Sequence, residues 1–212
     1  MRDPIIKGMN TNPHDPAAPA SATARSGADS LEGRMLLAMP CLADPRFSHA
    51  VIYMCAHNED GAMGLIVNKP APDLKFASLL KQLRIAPGPR TRDLKVHFGG
   101  PVEMGRGFVL HSDDMRLPEG TRELSGGLCL TASVEILESL ANGGGPREAL
   151  LALGYAGWGP GQLEAELAQN GWLECPADHD LIFDPDDARK WEAAMRRIGV
   201  DPALLSSEGG HA

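Results

Sequence analysis

Between Ala149 and Trp172 an apolar pentapeptide, Ala149-Leu-Leu-Ala-Leu153, runs into five glycine or proline positions, Gly154, Gly157, Gly159, Pro160 and Gly161. No other stretch restricts the fold as much. A short apolar run bounded by Gly143-Gly-Gly-Pro146 and Gly154 reads as a strand buried on both faces. The glycines permit positive φ or a close backbone approach, and Pro160 suits the first turn of a helix because its missing N–H has no partner there. Leu163 and Leu167 then share one helix face, with Gln162, Glu164 and Glu166 free to meet water. Asn170-Gly171 supplies residues that tolerate the left-handed conformation at a helix end. The expectation is a strand, a tight turn from Gly154, and a helix, with Tyr155, Trp158 and Trp172 as large apolar anchors. A glycine-rich turn into a helix can also cradle an anion. Here neither G-x-G-x-x-G nor the P-loop pattern is present, no lysine follows, Pro160 removes a donor and Glu164 adds negative charge, so packing is favoured.

The rest of the chain places this joint among strands. Met35-Leu-Leu-Ala-Met39, Ala50-Val-Ile-Tyr-Met-Cys55, Ala62-Met-Gly-Leu-Ile-Val67, Leu94-Lys-Val-His-Phe98, Gly107-Phe-Val-Leu-His111 and Gly127-Leu-Cys-Leu130 read as strands, with a hairpin turn at Asn58-Glu-Asp-Gly61. Asn68-Lys-Pro-Ala-Pro72 reads as a break in the sheet. Phe76, Leu79, Leu80 and Leu83 fall at i, i+3, i+4 and i+7, so a helix is predicted there. A second helix is predicted over 132–141, capped by Thr131 or Ser133. Short strands are predicted at 172–175 and 180–183, and a last helix from Asp184-Pro185, with Trp191, Ala194, Met195 and Ile198 on one face. Strands that dominate the first half without regular βαβ alternation predict an α+β fold with a mostly antiparallel, strongly bent sheet. Residues 1–29, rich in Pro, Ala, Ser and Asp, read as a disordered tail, residues 30–202 as one domain, and 203–212 as a flexible end.

Charge and cysteines narrow the function. A formal charge of −8 repels phosphate, which speaks against direct DNA binding and against an anionic membrane surface. Cys41, Cys55, Cys129 and Cys175 form no C-x-x-C pair, so free thiols in a reducing, cytoplasmic setting are expected rather than disulfides or zinc. No apolar run reaches a membrane span, and no secretory h-region is evident. No metal or cofactor is expected.

Two places carry candidate chemistry. In Cys55-Ala-His57 the thiol and imidazole sit two apart, which on a regular strand puts them on one face, and His111 on another strand is a third candidate for the same cleft. A neighbouring histidine activates a thiolate; the plainer reading is a packed Cys and a His near a hairpin end. His49 and His97 are further histidines that could line one cleft, the plain alternative being separate, satisfied side chains, and no metal-like spacing links them. Lys75, Lys81, Arg84, Arg90, Arg92 and Lys95 form the one basic segment of an acidic protein, opposed only by Asp93. They are candidates to hold an acidic partner, the plain alternative being a solvated face.

Taken together, Leu36-Leu-Ala-Met-Pro40, Asp44-Pro-Arg-Phe47, Cys55-Ala-His-Asn58, Gly61-Ala-Met-Gly-Leu-Ile-Val-Asn-Lys-Pro70, Gly99-Gly-Pro101, Arg106-Gly-Phe-Val-Leu-His111, Leu153-Gly-Tyr-Ala-Gly-Trp158, Gly161-Gln-Leu-Glu164, Trp172 and Pro176-Ala-Asp178 resemble the YqgE/AlgH family of bacterial proteins. The resemblance runs in order from Gly33 to Asp201. It implies a branched sheet folded into a pseudo-barrel with flanking helices. One branch of the family bears a regulator label and others lie beside a resolvase-like gene. The family has no agreed catalytic residues, so none is transferred. Cys41 departs from the small residue usual there. No helix-turn-helix with a basic recognition helix is present. The favoured expectation is a non-enzymatic binding or regulatory protein that works through a protein partner. A small-ligand protein or enzyme built on Cys55, His57 and His111 stands as the alternative, and direct transcriptional regulation as a third.

Overall fold

The computed structural model describes residues 30–205. The tail expected at 1–29, and residues 206–212 of the flexible end expected at 203–212, lie outside them. Among the described residues the architecture is α+β: ten strands in one sheet, mostly antiparallel, with five helices against it. The strands are β1 (Arg34–Ala38), β2 (Val51–Asn58), β3 (Gly61–Ile66), β4 (Pro70–Lys75), β5 (Lys95–Phe98), β6 (Val102–Ser112), β7 (Thr121–Leu124), β8 (Leu128–Thr131), β9 (Ala149–Trp158) and β10 (Trp172–Pro176). The helices are α1 (Phe76–Gln82), α2 (Val134–Ala141), α3 (Gln162–Ala168), α4 (His179–Ile182) and α5 (Lys190–Arg197).

The sheet runs β10-β1-β2-β3-β9-β6-β8-β7, and β4-β5 branches from it at β9. β9 is the trunk. Along one edge it pairs with β6; along the other, Leu151–Leu153 pair in parallel with β5 and Ala156–Trp158 pair antiparallel with β3. Gly154 lies between these two partners with φ +71, so the strand bends there without ending. A Cβ at Gly154 would stand 2.4 Å from the Gly100 carbonyl oxygen, which leaves no room for another residue. The tight turn expected from Gly154 therefore lies further on, at 159–161, where Gly161 (φ +71) precedes α3. An apolar strand continues through a left-handed residue when flanking strands hold both of its halves by ladder bonds.

Both faces of the sheet are covered, as a branched sheet requires. On β2, Val51, Tyr53 and Cys55 enter one cluster with α4 and α5, while Ile52 and Met54 enter another with Leu163, Trp158 and Trp172. A third cluster packs Phe76, Leu79 and Leu80 of α1 and Ile136, Leu137 and Leu140 of α2 on Val96, Val109, Leu151 and Leu153. Burying each such aliphatic side chain contributes about 1.5–3 kcal/mol.

Several local expectations are corrected. The segment 70–75 is an edge strand, a position that tolerates Pro70 and Pro72. Residues 121–124 form a strand that the turn-rich sequence around them concealed. The segment expected as a strand at 180–183 is instead helical over His179–Ile182, because the Asp178 side chain caps α4 by accepting from the Leu181 N–H at 2.9 Å. α2 begins at Val134 without a side-chain cap, since Thr131 is engaged elsewhere and Ser133 Oγ has no partner. The last helix starts at Lys190 rather than at Asp184-Pro185. Residues 202–204 form a 3-10 turn, and Leu205, within the end expected to be flexible from 203, packs on the core beside Val200.

Candidate functional site

Cys55, His57 and His111 do not meet. Between Met54 and Ala56 the β2–β3 register shifts by one residue, a β-bulge. The extra residue turns the strand over, so that Cys55 faces the cluster of α4 and α5 while His57 faces the side of Leu31 and α3. Sequence spacing alone puts residues i and i+2 together; the bulge separates them. The Cys55 thiol is fully buried, lies 3.7 Å from the Tyr53 carbonyl oxygen, and is pushed up by that burial to about 12. No thiolate forms there at neutral pH.

His57 holds the chain entry to α3. Its Nδ1 accepts the Leu31 N–H at 3.0 Å, so Nε2 carries the proton and donates to Glu164 Oε1 at 2.8 Å. The Glu164 backbone N–H, followed by His57, holds the Glu164 carboxyl below its ordinary value. Two residues on, Glu166 Oε2 accepts both indole N–H groups, from Trp158 at 2.9 Å and Trp172 at 2.7 Å. The two rings meet edge to face with centroids 5.8 Å apart. Glu164 and Glu166, expected to face water, thus tie α3 to the sheet.

His111 is buried on β6. Its Nδ1 lies 2.8 Å from the Ser112 carbonyl and its Nε2 2.8 Å from Thr131 Oγ1. A carbonyl only accepts, so Nδ1 carries the proton and Thr131 donates to Nε2; Thr121 Oγ1, 2.7 Å from Thr131 Oγ1, extends the chain. Burial lowers the His111 pKa against the Ser112 and Asp114 contributions, which keeps the ring neutral. His97 and His111 flank β9 from opposite sides, His97 through β5 and His111 through β6.

The six basic residues divide. Arg92 donates to the Pro146 and Arg147 carbonyl oxygens and is a loop clamp. Lys95 donates to Asp187 at 3.1 Å and to the Pro185 carbonyl. Lys75, Lys81, Arg84 and Arg90 are exposed and have no carboxylate within ion-pair reach among the described residues. Lys81 and Arg84 line a hollow of about 430 Å³ beside α1, whose floor is Ala77, Ile85, Ala86 and Pro87.

Sequence reasoning missed the densest polar cluster. Asp187, 7 % exposed, takes Lys95, His97 Nε2 at 3.1 Å and Lys190 Nζ at 3.0 Å. Burial opposes its ionisation, but the hydrogen bonds from His97 and Lys190 prevail and hold the carboxyl well below the usual range. The Lys190 ammonium, 1 % exposed, gives its other two protons to the Val67 and Ile182 carbonyl oxygens at 2.8 and 2.9 Å. A lysine beside Trp191 at a helix start gives no sequence signal of burial. Only the packing of α5 on the β3–β4 turn puts it inside.

A family model described as AlgH-like matches residues 35–203. A UPF0301 protein of Cereibacter sphaeroides is 55% identical over 182 residues, 86% of this chain and 99% of that protein. Another from Bradyrhizobium diazoefficiens is 50% identical over 97% of this chain and 96% of its own length. The solution structure of the AlgH protein from Pseudomonas aeruginosa is similar at TM-score 0.72 and 43% identity, covering 89% of this chain and 100% of that one. A crystal structure of a Corynebacterium diphtheriae protein, 21% identical at TM-score 0.61 over 85% of this chain and 92% of its own, shares the fold.

Proposed function

The chain belongs to the AlgH-like family, and from that premise we propose a non-enzymatic binding protein of the cytoplasm that regulates through a protein partner. The observation that carries this reading is the α1 surface. On a protein of formal charge −8, Lys75 at the end of β4, Lys81 on α1, and Arg84 and Arg90 on the loop that follows have no carboxylate partners among the described residues. The hollow between Lys81 and Arg84 has an apolar floor. An acidic segment with one apolar side chain suits it: the cations supply steering and the floor supplies burial. A nucleic acid would meet the same cations but also the net negative field of the whole chain.

Chemistry at Cys55, His57 and His111 finds no support in this geometry, because the thiol is sealed and the imidazoles are committed to structural bonds. The four cysteines are free, which suits a reducing compartment.

The double variant K81E/R84E tests the proposal in a quantitative pull-down from native lysate beside wild type. The expected outcome is loss of a partner from the variant at unchanged melting temperature, with wild-type capture weakening as salt rises. Equal capture by the two proteins would sink the reading, as would a wild-type complex with duplex DNA of steep salt dependence.

A further inference from the structure

A separate cleft of about 210 Å³ lies between the loop before β2, the β3–β4 turn and the start of α5, walled by Ser48, His49, Asn68, Lys69, Asp187 and Trp191. Its walls are built before any ligand arrives. Asn68 Oδ1 accepts the Val51 N–H and its Nδ2 donates to the His49 carbonyl, each at 2.8 Å. That clamp holds His49 at φ +53, with its ring edge-on to Trp191 at 4.5 Å between centroids and its Nδ1 3.0 Å from Ser48 Oγ.

The charges around the cleft do not balance. Asp187 already has Lys95, His97 and Lys190, and Glu192, which also lines the cleft, has Arg196 at 3.0 Å. Lys69 is half-buried and has no carboxylate partner among the described residues. Burial disfavours its charged form and lowers its pKa. One unmatched cation calls for one negative charge, and a dianion would meet Asp187 and Glu192 at close range. Trp191 and Ala188 offer an apolar wall. The volume lies below the roughly 300–1,000 Å³ of pockets for drug-sized ligands, so the guest is a few heavy atoms.

We infer that this cleft binds a small organic monocarboxylate, its carboxylate on Lys69 and the Ser48 hydroxyl and its hydrocarbon end against Trp191. None of these residues belongs to the α1 surface, so either site can fail without the other.

The test is a titration of the full chain with butyrate, and in parallel with inorganic phosphate, followed by amide and indole ¹H–¹⁵N NMR. Butyrate is expected to saturate in the millimolar range, moving the Trp191 indole and the His49 and Lys69 amides. Lys69→Met should weaken it about tenfold or more, since a charge-assisted hydrogen bond is lost. The spectrum itself reports whether that variant folds. Glu192→Gln, on the cleft rim, gives a second reading and should tighten butyrate by removing a like charge. No saturation, butyrate affinity unchanged in Lys69→Met, or phosphate binding tighter than butyrate would each overturn the assignment.

Discussion

At the scale of single residues, the reactive side chains are mostly committed to structure. Cys55 is the plainest case. Iodoacetamide is expected to modify Cys41, which is partly exposed, and to reach Cys55 only under denaturant; peptide mass mapping of the native protein checks this, and fast native labelling of Cys55 would contradict it. His111 makes a pH prediction. An unfolded chain protonates this ring near pH 6.5, whereas the folded ring resists protonation to a lower pH because burial depresses its pKa. The unfolded state therefore binds more protons in that interval. The stability due to His111 is whole above about pH 6.5 and is lost as pH falls towards the folded value. Urea midpoints measured from pH 7.5 downward should fall across this window, and His111→Gln should flatten that part of the slope. Lys190→Met would leave Asp187 buried with one cation fewer, at a cost of about 3–5 kcal/mol by chemical denaturation.

At the scale of elements, β9 and α3 carry the strongest dependence on individual positions. Gly154→Ala drives a Cβ towards the Gly100 and Val102 carbonyl oxygens at a φ of +71. Backbone on both sides cannot yield cheaply, so a loss of about 3 kcal/mol or more is expected, read as a fall in melting temperature or in soluble yield. Glu166→Ala removes the acceptor of two buried indole N–H groups. An unpaired buried donor costs about 1–3 kcal/mol, so α3 should loosen from β10 with a change in the near-ultraviolet signal of Trp158 and Trp172. A variant as stable as wild type would show that water replaces the carboxylate without cost.

At the scale of the whole molecule, the sheet branches because one strand serves three partners, and the branch gives every face a covering cluster. Much of this was legible. The i, i+3, i+4, i+7 spacing of Phe76, Leu79, Leu80 and Leu83 marked α1, Asn170-Gly171 marked the end of α3 (Asn170 at φ +57), and the lack of βαβ alternation marked an antiparallel α+β sheet. Local periodicity and turn chemistry are properties of neighbouring residues, so a sequence records them. The matched motifs identified the family, which the comparisons show. What only the tertiary structure decided depends on contacts between distant segments. The bulge that parts Cys55 from His57 exists through pairing with β3, and Gly154 became a bend within a strand because β5 and β3 hold its two sides. Asp187 and Lys190 became a buried pair because α5 docks on the β3–β4 turn. The opening stretch, 149–172, showed its breakers but not its partners. A glycine fixes what a backbone is free to do, and the strands that close around it fix which of those freedoms is used.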